Sequence, residues 1–479
     1  MNSFVNAIAN QEARTENGMK ALGSTANKNV DLFFKIGASR GKDITPAFVG
    51  AYVENRDYAL RIAQWARDVR GGAGERKLFQ DILNKLILTD ADAAIALLRK
   101  APELGRWDDV LVAVGTQGAV GDTAVAMIKA ALDKGDGLCA KWMPRKGALA
   151  ATLREKLGWT PKYYRKRLVE LTKVVEQNMC SGQWDEINFN HVPSVASARY
   201  KKAFARHTPK YGEWAAKLVS TDPSVKAEVK VNAGAVYPYD VIKGVSAYGY
   251  GYNDKANIDH IIAQWDALPN YVGDASILPI VDVSGSMCCK AGGHQSKSKT
   301  TCLDVSLSLG LYLADKNKGV FKDTFLTFSG KPQLVTLKGN IIQKIEQMQR
   351  SDWEMNTNLH AAIQKILDVA VKGKVPVGDM PKVLLILSDM QFDMCARYDD
   401  SAMQMIRRKY EEAGYSVPQI VFWNLNAADN VPVKHNENGV ALVSGFSPTI
   451  VKSILAADLD DFTPENIMRK TIMSERYDY

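Results

Sequence analysis

The pattern of apolar positions divides the chain at about residue 270. From about residue 30 to residue 240, apolar residues recur at the three- and four-residue spacings of amphipathic helices, and strand-like alternation is almost absent. Helices are predicted at Tyr58–Val69, Glu75–Leu88, Asp90–Leu98, Arg106–Val114 and Thr160–Gln177. Short helices joined by short turns over about 200 residues predict a helical array of the solenoid type.

Strands and helices alternate in the second part of the chain. Strands are predicted at Ile277–Val281, Asp323–Ser329, Gln333–Lys338, Lys382–Leu387, Gln419–Trp423 and Gly439–Val443, with helices between most of them. This order is typical of an α/β domain with a mainly parallel sheet. The expected fold class is therefore α plus α/β. The short alternation at 225–231 opens a stretch of changed character, 220–257, which is interpreted as a linker or crossing segment.

Small oxygen-bearing side chains follow two of the predicted strands. Asp282, Ser284 and Ser286 come directly after the first, Asp389 follows Lys382–Leu387, and Thr357 precedes a helix. In parallel sheets ligands lie at the carboxyl ends of strands, and carboxylate and hydroxyl oxygens suit a hard cation. A site for Mg²⁺ or Mn²⁺ is expected here. The plain alternative is a strand end whose Ser and Gly serve only for turning.

The excess positive charge lies before the sheet. Residues 1–270 hold 38 Lys and Arg against 29 Asp and Glu, whereas the remaining residues hold 23 against 24. Within 141–243 the ratio is 19 to 9, with aromatic residues interleaved. Such a region favours a polyanion, and aromatic faces suit single-stranded RNA. Candidate RNA contacts are Lys141, Arg145, Lys146, Lys162, Arg165, Lys166, Lys173, Lys201, Lys202 and Arg206. A solvated helix face is the alternative.

Three motifs carry a resemblance to the von Willebrand factor A domain. DVSGSM, NTNLH and LILSDM occur in the right order between about residues 272 and 460 and resemble its metal-ion-dependent adhesion site. The resemblance implies a Rossmann-like fold in which Ser284, Ser286 and Thr357 ligate Mg²⁺. Asp282 and Asp389 would act largely through waters, and an acidic partner group would complete the octahedron. Met390 departs from the pattern, since many relatives have Gly there.

The whole chain resembles the Ro ribonucleoprotein (TROVE) architecture. RDVRGGAGERKLF, KWMPRK, YRKRLVEL, QWDEINFNHVPSVA and SDMQFD are most similar to an uncharacterised TROVE-related family. The resemblance implies a HEAT-like helical ring or arc closed by an A domain, which binds noncoding or single-stranded RNA. The expected domains are 1–243 (helical repeats), 244–271 (linker), 272–460 (A domain) and 461–479 (helical tail).

The expected function is a non-enzymatic, RNA-binding ribonucleoprotein component. The alternative is an interaction scaffold whose cation captures an Asp or Glu of another protein. Val283-Ser284-Gly285-Ser286 lacks the leading Gly of a nucleophile elbow, and the spacing of Cys288, Cys289, His294 and Cys302 matches no common zinc pattern. Few cysteines and no bilayer-length apolar run predict a cytoplasmic protein without a membrane partner.

Overall fold

The computed structural model describes residues 12–243, 245, 254–291, 300–328, 330–349, 357–394, 399–426, 429–457 and 461–479. The first half is helical, as expected. Its helices are α1 (Lys28–Ile36), α2 (Thr45–Glu54), α3 (Arg56–Arg67), α4 (Arg76–Thr89), α5 (Ala91–Leu104), α6 (Trp107–Val110), α7 (Ala119–Asp133), α8 (Gly137–Trp142), α9 (Ala148–Leu157), α10 (Pro161–Leu171), α11 (Val175–Cys180), α12 (Ser194–His207), α13 (Pro209–Leu218), α14 (Pro223–Ala227), α15 (Pro238–Ile242) and α16 (Lys255–Asp266).

Side-chain caps define many of these helix starts. The Asn55 side chain accepts a hydrogen bond from the amide of Tyr58, and the Asp90 side chain accepts one from Ala93. Thr160 caps α10 through the amide of Tyr163, as its sequence predicted. Such caps satisfy amides that have no partner within the helix.

Two predicted elements were wrong in extent or type. The helix from Thr160 ends at Leu171 instead of Gln177, because Thr172 turns to extended backbone and α11 starts separately. Residues 225–231 do not form a strand. The run Asp222-Pro223 starts the short helix α14 instead, with Asp222 capping the amide of Ser224. A strong helix start overrides the weak alternation there.

The second half is an α/β domain built on a six-stranded sheet, and the predicted fold class is confirmed. The strands are β3 (Ile277–Asp282), β4 (Thr324–Phe328), β5 (Leu334–Thr336), β6 (Val383–Ser388), β7 (Gln419–Asn424) and β8 (Val440–Ser444). Their order is β5-β4-β3-β6-β7-β8, and every pair is parallel except β4 with β5. The helices are α17 (Cys302–Lys316), α18 (Ile341–Gln349), α19 (Leu359–Gly373), α20 (Ala402–Glu412), α21 (Val451–Leu455) and α22 (Pro464–Ile472).

The start of the described chain packs on the sheet domain. Strands β1 (Glu12–Arg14) and β2 (Lys20–Leu22) form an antiparallel hairpin, and Leu22 exchanges backbone hydrogen bonds of 2.9 and 2.8 Å with Val431. Helix α1 lies against β8, where the Ser444 hydroxyl donates to the carbonyl of Phe33 at 2.7 Å. Residues 12–36 therefore contact the sheet, although the expected helical domain starts at residue 1.

The last described residues contact the first helices, in the other half of the chain. Helix α22 packs against both β8 and α3. Beyond it, Arg476 and Tyr477 both contact the buried carboxylate of Asp68, at the end of α3. One continuous apolar core joins the sheet to the first helices, and a smaller aromatic core lies around Tyr211 and Trp214. No helix in the described ranges is both long and apolar enough to cross a bilayer.

Candidate cation site and nucleic-acid surface

The predicted cation ligands meet at one edge of the sheet. Strands β3 and β6 are parallel neighbours, with Val281 opposite Leu387, so Asp282 and Asp389 both follow the carboxyl ends of adjacent buried strands. Ser388, which precedes Asp389 in the chain, donates a hydrogen bond of 2.5 Å from its hydroxyl to Asp282 Oδ2. Both carboxylates are almost completely buried.

The turn after β3 places two hydroxyls beside these carboxylates. The amide of Ser284 donates to Asp282 Oδ1 at 2.9 Å, and the Ser284 and Ser286 hydroxyls are 3.0 Å apart. Ser286 is also hydrogen bonded to Asp389. Burial, followed by the neighbouring charge of Asp389, raises the pKa of Asp282 above its usual range. The turn therefore concentrates oxygen donors and negative charge.

Thr357 lies at the same rim, through the loop that follows Asp389. The Asp393 amide donates to the Thr357 carbonyl at 3.1 Å, and the Thr357 side chain is buried. Met390 has a φ of 66° and is buried. It adopts the left-handed conformation that Gly favours, so the departure from the A-domain motif leaves the turn in place at a cost of about 1–2 kcal/mol.

The donor set fits a hard cation. All five predicted residues offer oxygen, and within the described ranges no Lys, Arg or His forms an ion pair with Asp282 or Asp389. Two buried carboxylates without a basic partner are costly unless a cation or proton compensates them. These residues would hold Mg²⁺ or Mn²⁺, which would supply the compensating charge and a Lewis-acidic position.

A zinc site has less support from the geometry. Among described residues no three Cys, His, Asp or Glu side chains cluster as metal ligands. The Cys289 and Cys302 sulfurs are 3.5 Å apart, and the Cys302 thiol donates to the carbonyl of Leu425. His294 lies outside the described residues.

One contributor to this edge was not predicted from the sequence, the turn of the β1–β2 hairpin. The Asn17 amide donates to the Gln391 carbonyl at 2.7 Å and lies 3.5 Å from Thr357 Oγ1. The Glu16 amide donates to Gln391 Oε1 at 2.7 Å. Only the turn signal Asn17-Gly18 marks this segment locally, and nothing in it indicates which strand ends it will contact.

Nine of the ten candidate RNA contacts remain accessible. Side chains of Arg145, Lys146, Lys162, Arg165, Lys166, Lys173, Lys202 and Arg206 are exposed, and Lys141 is half-buried. Lys141 pairs with Glu176 at 3.6 Å. In the part of the chain that the structure describes, Lys146, Lys162, Arg165, Lys166 and Lys173 form no ion pair. Their charge is therefore available to a ligand.

Contacts between helices bring together the elements that carry these residues, which are here called the basic surface (residues 141–173 with 202 and 206). The Arg145 guanidinium donates to Thr172 Oγ1 at 3.0 Å, which joins the loop after α8 to the end of α10. Glu176 accepts from the hydroxyl of Tyr200 at 3.2 Å and pairs with Lys141, so α8, α11 and α12 adjoin.

Lys201 does not belong to the basic surface, and its prediction as an RNA contact was wrong. Its side chain is only 3% exposed, and its ammonium donates to the carbonyl of Val241 at 3.1 Å. Burial, with the adjacent charge of Lys202, lowers the pKa of Lys201 to about 8. The ammonium therefore faces the interior, away from any phosphate.

The aromatic residues of this region differ in accessibility. Tyr163 is 50% exposed and forms an edge contact with Trp159, with ring centroids 4.9 Å apart. Trp142, Trp184 and Tyr200 are half-buried, while Tyr211 is fully buried. Tyr163 is therefore the best-presented stacking face on the basic surface.

The glycine-rich loop from Arg70 to Arg76 is a packing site. Gly71 lies against Asp68, Arg476 and Tyr477, and a Cβ at Gly74 would lie 1.8 Å from the hydroxyl of Tyr237. The backbone is close-packed by side chains from elsewhere in the chain, so this loop serves as a packed connection between α3 and α4.

Comparisons with known proteins give similarity without an assigned activity. Two family models match, both described as a domain of unknown function: DUF2828 over residues 145–277 and DUF7788 over residues 276–476. The chain is 28% identical over 511 residues to uncharacterized protein L728 of Acanthamoeba polyphaga mimivirus, which covers 95% of this chain and 86% of that protein.

Among solved structures, the chain is similar to the RO (RSR) protein of Deinococcus radiodurans. The TM-score is 0.45 at 14% sequence identity, over 93% of this chain and 99% of that one. The DUF2828 match begins within the basic surface, and the DUF7788 match begins at the strand that leads to Asp282. The chain is thus similar in two adjoining segments to two families whose activity is undefined.

Proposed function

We propose that the protein binds single-stranded RNA on the basic surface. The observation that carries the proposal is the set of five exposed basic side chains that form no ion pair among the described residues, Lys146, Lys162, Arg165, Lys166 and Lys173, in the same segment as the exposed ring of Tyr163. Ammonium and guanidinium groups neutralise phosphates, and an aromatic face stacks bases without regard to sequence. The motif resemblance to the Ro architecture leads to the same expectation.

The proposal does not require catalysis. The basic surface is formed by helices of the first half, separate from the polar residues at the sheet edge. Binding through phosphates and stacking predicts little sequence specificity and strong dependence on salt. Structured noncoding RNA and single-stranded ends both present such a backbone, and the proposal commits to single strands because Tyr163 needs an unpaired base.

The experiment compares two sets of four substitutions. One variant changes Lys162, Arg165, Lys166 and Lys173 to Gln. The control changes the exposed sheet-domain residues Lys318, Lys365, Lys372 and Lys382 to Gln, which removes the same charge. Fluorescence anisotropy with a labelled oligouridine is measured between about 50 and 200 mM salt.

The surface variant is expected to lose at least tenfold in affinity. Its plot of log affinity against log salt concentration becomes shallower, with the magnitude of the slope reduced by about 3. The control keeps the wild-type slope. Absence of binding by the wild-type protein at the lowest salt overturns the proposal. Equal losses in the two variants overturn the assignment to the basic surface.

A second candidate function rests on the sheet edge. Three hydroxyl residues beside two buried carboxylates favour a cation that captures an acidic side chain of another protein. Such an association disappears with EDTA or Asp282→Asn and survives ribonuclease, whereas RNA-mediated association behaves in the opposite way. The two functions use separate surfaces and can coexist.

A further inference from the structure

We infer that Cys289 and Cys302 are a redox-active thiol pair, which hydrogen peroxide oxidises to a disulfide and thiol reductants reopen. The Cys289 thiol donates a hydrogen bond to the Cys302 sulfur at 3.5 Å, and both cysteines are free thiols in this structure. The inference assigns a site of reversible modification, and it depends neither on RNA binding nor on the proposed cation.

Backbone pairing holds the two cysteines opposite each other. Lys290 and Thr301 form an antiparallel bridge, and next to it the Cys302 amide donates to the Cys289 carbonyl at 3.0 Å. Residues that face each other at such a position have Cα atoms about 5.5 Å apart. A disulfide spans about the same Cα separation. The sulfurs can therefore be joined by rotation of the side chains, without rearrangement of the backbone.

The two thiols differ in their access to a small oxidant. Cys289 is half-buried, whereas Cys302 is fully buried. The Asn426 side-chain amide donates to the Cys289 sulfur at 3.6 Å, while the Cys302 thiol donates to the Leu425 carbonyl at 3.4 Å. A hydrogen bond to sulfur favours the thiolate, which is the nucleophilic form. Cys289 is therefore the sulfur that meets peroxide, and Cys302 is the thiol that resolves the product.

One molecule of hydrogen peroxide balances the reaction. The Cys289 thiolate attacks a peroxide oxygen, the O–O bond breaks, and Cys289 becomes a sulfenic acid while the departing hydroxide takes up the thiol proton as water. The Cys302 sulfur then attacks the Cys289 sulfur. The S–S bond forms, the S–O bond breaks, and the Cys302 proton leaves with the hydroxyl group as a second water. The two thiols are oxidised by two electrons, which reduce the peroxide.

A disulfide at this position would join the turn after β3 to helix α17, which begins at Cys302. The Cys289 amide donates to the Ser286 carbonyl at 3.2 Å, and the Ser306 hydroxyl of α17 donates to the Asp282 carbonyl at 3.1 Å. Because a cross-link restricts separation of the elements it joins, we expect the turn to open less readily in the oxidised protein. Oxidation thus acts on the residues at the sheet edge.

The test treats the full chain with hydrogen peroxide, blocks the remaining thiols with iodoacetamide and maps tryptic peptides by mass spectrometry. Cleavage after Lys290 and Lys299 separates the two cysteines, so the disulfide links peptides 256–290 and 300–316. We expect the linked peptides in the wild type and their disappearance with dithiothreitol. Cys289→Ser should yield at least tenfold less of them, whereas Cys288→Ser, the matched control at the exposed neighbouring thiol, keeps the wild-type yield.

Hydrogen exchange gives a second readout. Exchange at residues 282–291 should slow on oxidation of the wild type and of Cys288→Ser, and it should not change in Cys289→Ser. Circular dichroism checks that both Ser variants are folded, and Cys289→Ala replaces Cys289→Ser if that variant is not.

Two results overturn the inference. The first is a peroxide-treated wild type without the linked peptides, whether Cys289 is then unmodified or has become a sulfinic or sulfonic acid. The second is an undiminished linkage in Cys289→Ser, which would make Cys288 the partner of Cys302. Neither result bears on the proposed RNA or cation binding, because the experiment contains neither ligand.

Discussion

Arg476 forms a two-point ion pair with Asp68, which lies 408 residues earlier in the chain. Arg476 Nε is 2.5 Å from Asp68 Oδ2 and Nη2 is 2.8 Å from Oδ1, while the Tyr477 hydroxyl donates to Oδ2 at 3.1 Å. Asp68 is fully buried and has no access to water, so Arg476 and Tyr477 stabilise its carboxylate instead. The pair fastens the segment after α22 to the end of α3.

We predict that Arg476→Ala destabilises the protein by about 3 kcal/mol, because it leaves a buried carboxylate without its cation. Arg469→Ala, at an exposed position on α22, is the control and changes stability by less than about 0.5 kcal/mol. Urea unfolding followed by fluorescence measures both. Equal stability of the two variants would contradict the assigned role of the pair.

The same pair predicts a pH dependence. Burial opposes ionisation of Asp68, but hydrogen bonds from Arg476 and from backbone amides outweigh it and lower the pKa of Asp68 below its usual value. The stabilisation is therefore present above pH of about 4 and is lost as pH falls through the lower folded-state pKa. In Arg476→Ala, burial without the guanidinium raises the pKa of Asp68, so the stability difference from wild type should begin to narrow above pH 4, as Asp68 of the variant takes up its proton, and should continue to narrow as pH falls.

Lys201→Met should raise the free energy of unfolding by about 2 kcal/mol at pH 7. This value is the cost of burying the Lys201 charge, which the variant removes, less the contribution of the lost hydrogen bond to Val241. The pKa of Lys201 is about 8 in the folded protein and about 10.4 unfolded, so the cost of its charge is complete below pH 8 and disappears by about pH 10.4. The advantage of the variant must shrink over that interval. Urea titrations at several pH values measure it, with exposed Lys202→Met as the control.

The same variant tests the corrected boundary of the basic surface. Lys201→Met is expected to keep wild-type RNA affinity, because its ammonium faces Val241. A loss as large as that of Lys202→Met would return Lys201 to the RNA-binding residues.

Tyr163→Ala should weaken single-stranded RNA binding by at least about 1 kcal/mol, since an exposed ring that stacks a base contributes about that much. Val169→Ala, which removes an exposed apolar side chain from the same helix, is the control. Anisotropy with the same oligouridine compares them at one salt concentration. Similar affinities for both variants would show that Tyr163 does not stack a base.

Mg²⁺ should stabilise the wild-type protein by about 2.7 kcal/mol at a concentration of 100 times its dissociation constant. Asp282→Asn and Thr357→Val should lose this gain, because each removes an oxygen donor from the sheet edge. Asp368→Asn, an exposed carboxylate on α19, should keep it. Thermal unfolding with Mg²⁺ or EDTA gives the measurement, and an equal Mg²⁺ effect in Asp282→Asn would contradict the site.

The cation-site residues could be predicted because their signals are local. An uninterrupted apolar run predicts a buried parallel strand, as in β3 and β6, and the polar residues that end each run must lie at the same edge of the sheet. Asp282 and Asp389 follow from this rule alone. Thr357 needed the motif resemblance, since it precedes a helix and follows no strand.

The remaining features depend on contacts between residues distant in sequence. Lys201 and Lys202 are adjacent and chemically alike, yet one is buried and one exposed, and only the packing of α12 distinguishes them. The Asn17 side chain comes within 3.5 Å of Thr357 Oγ1 through a hairpin with no strong strand pattern. Arg476 pairs with Asp68 at the end of α3, 408 residues earlier in the chain. The spacing of apolar residues along the chain does not indicate any of these contacts.

Contact between α1 and β8 has a consequence for synthesis of the chain. The Phe33 carbonyl and the Ser444 hydroxyl that caps it are 411 residues apart. At about 5–20 residues per second, the ribosome delivers β8 roughly 20–80 s after α1. The face of α1 that packs on β8 therefore lacks its cover for that interval, although the early helix α3 already supplies Trp65 as a neighbour of Phe33.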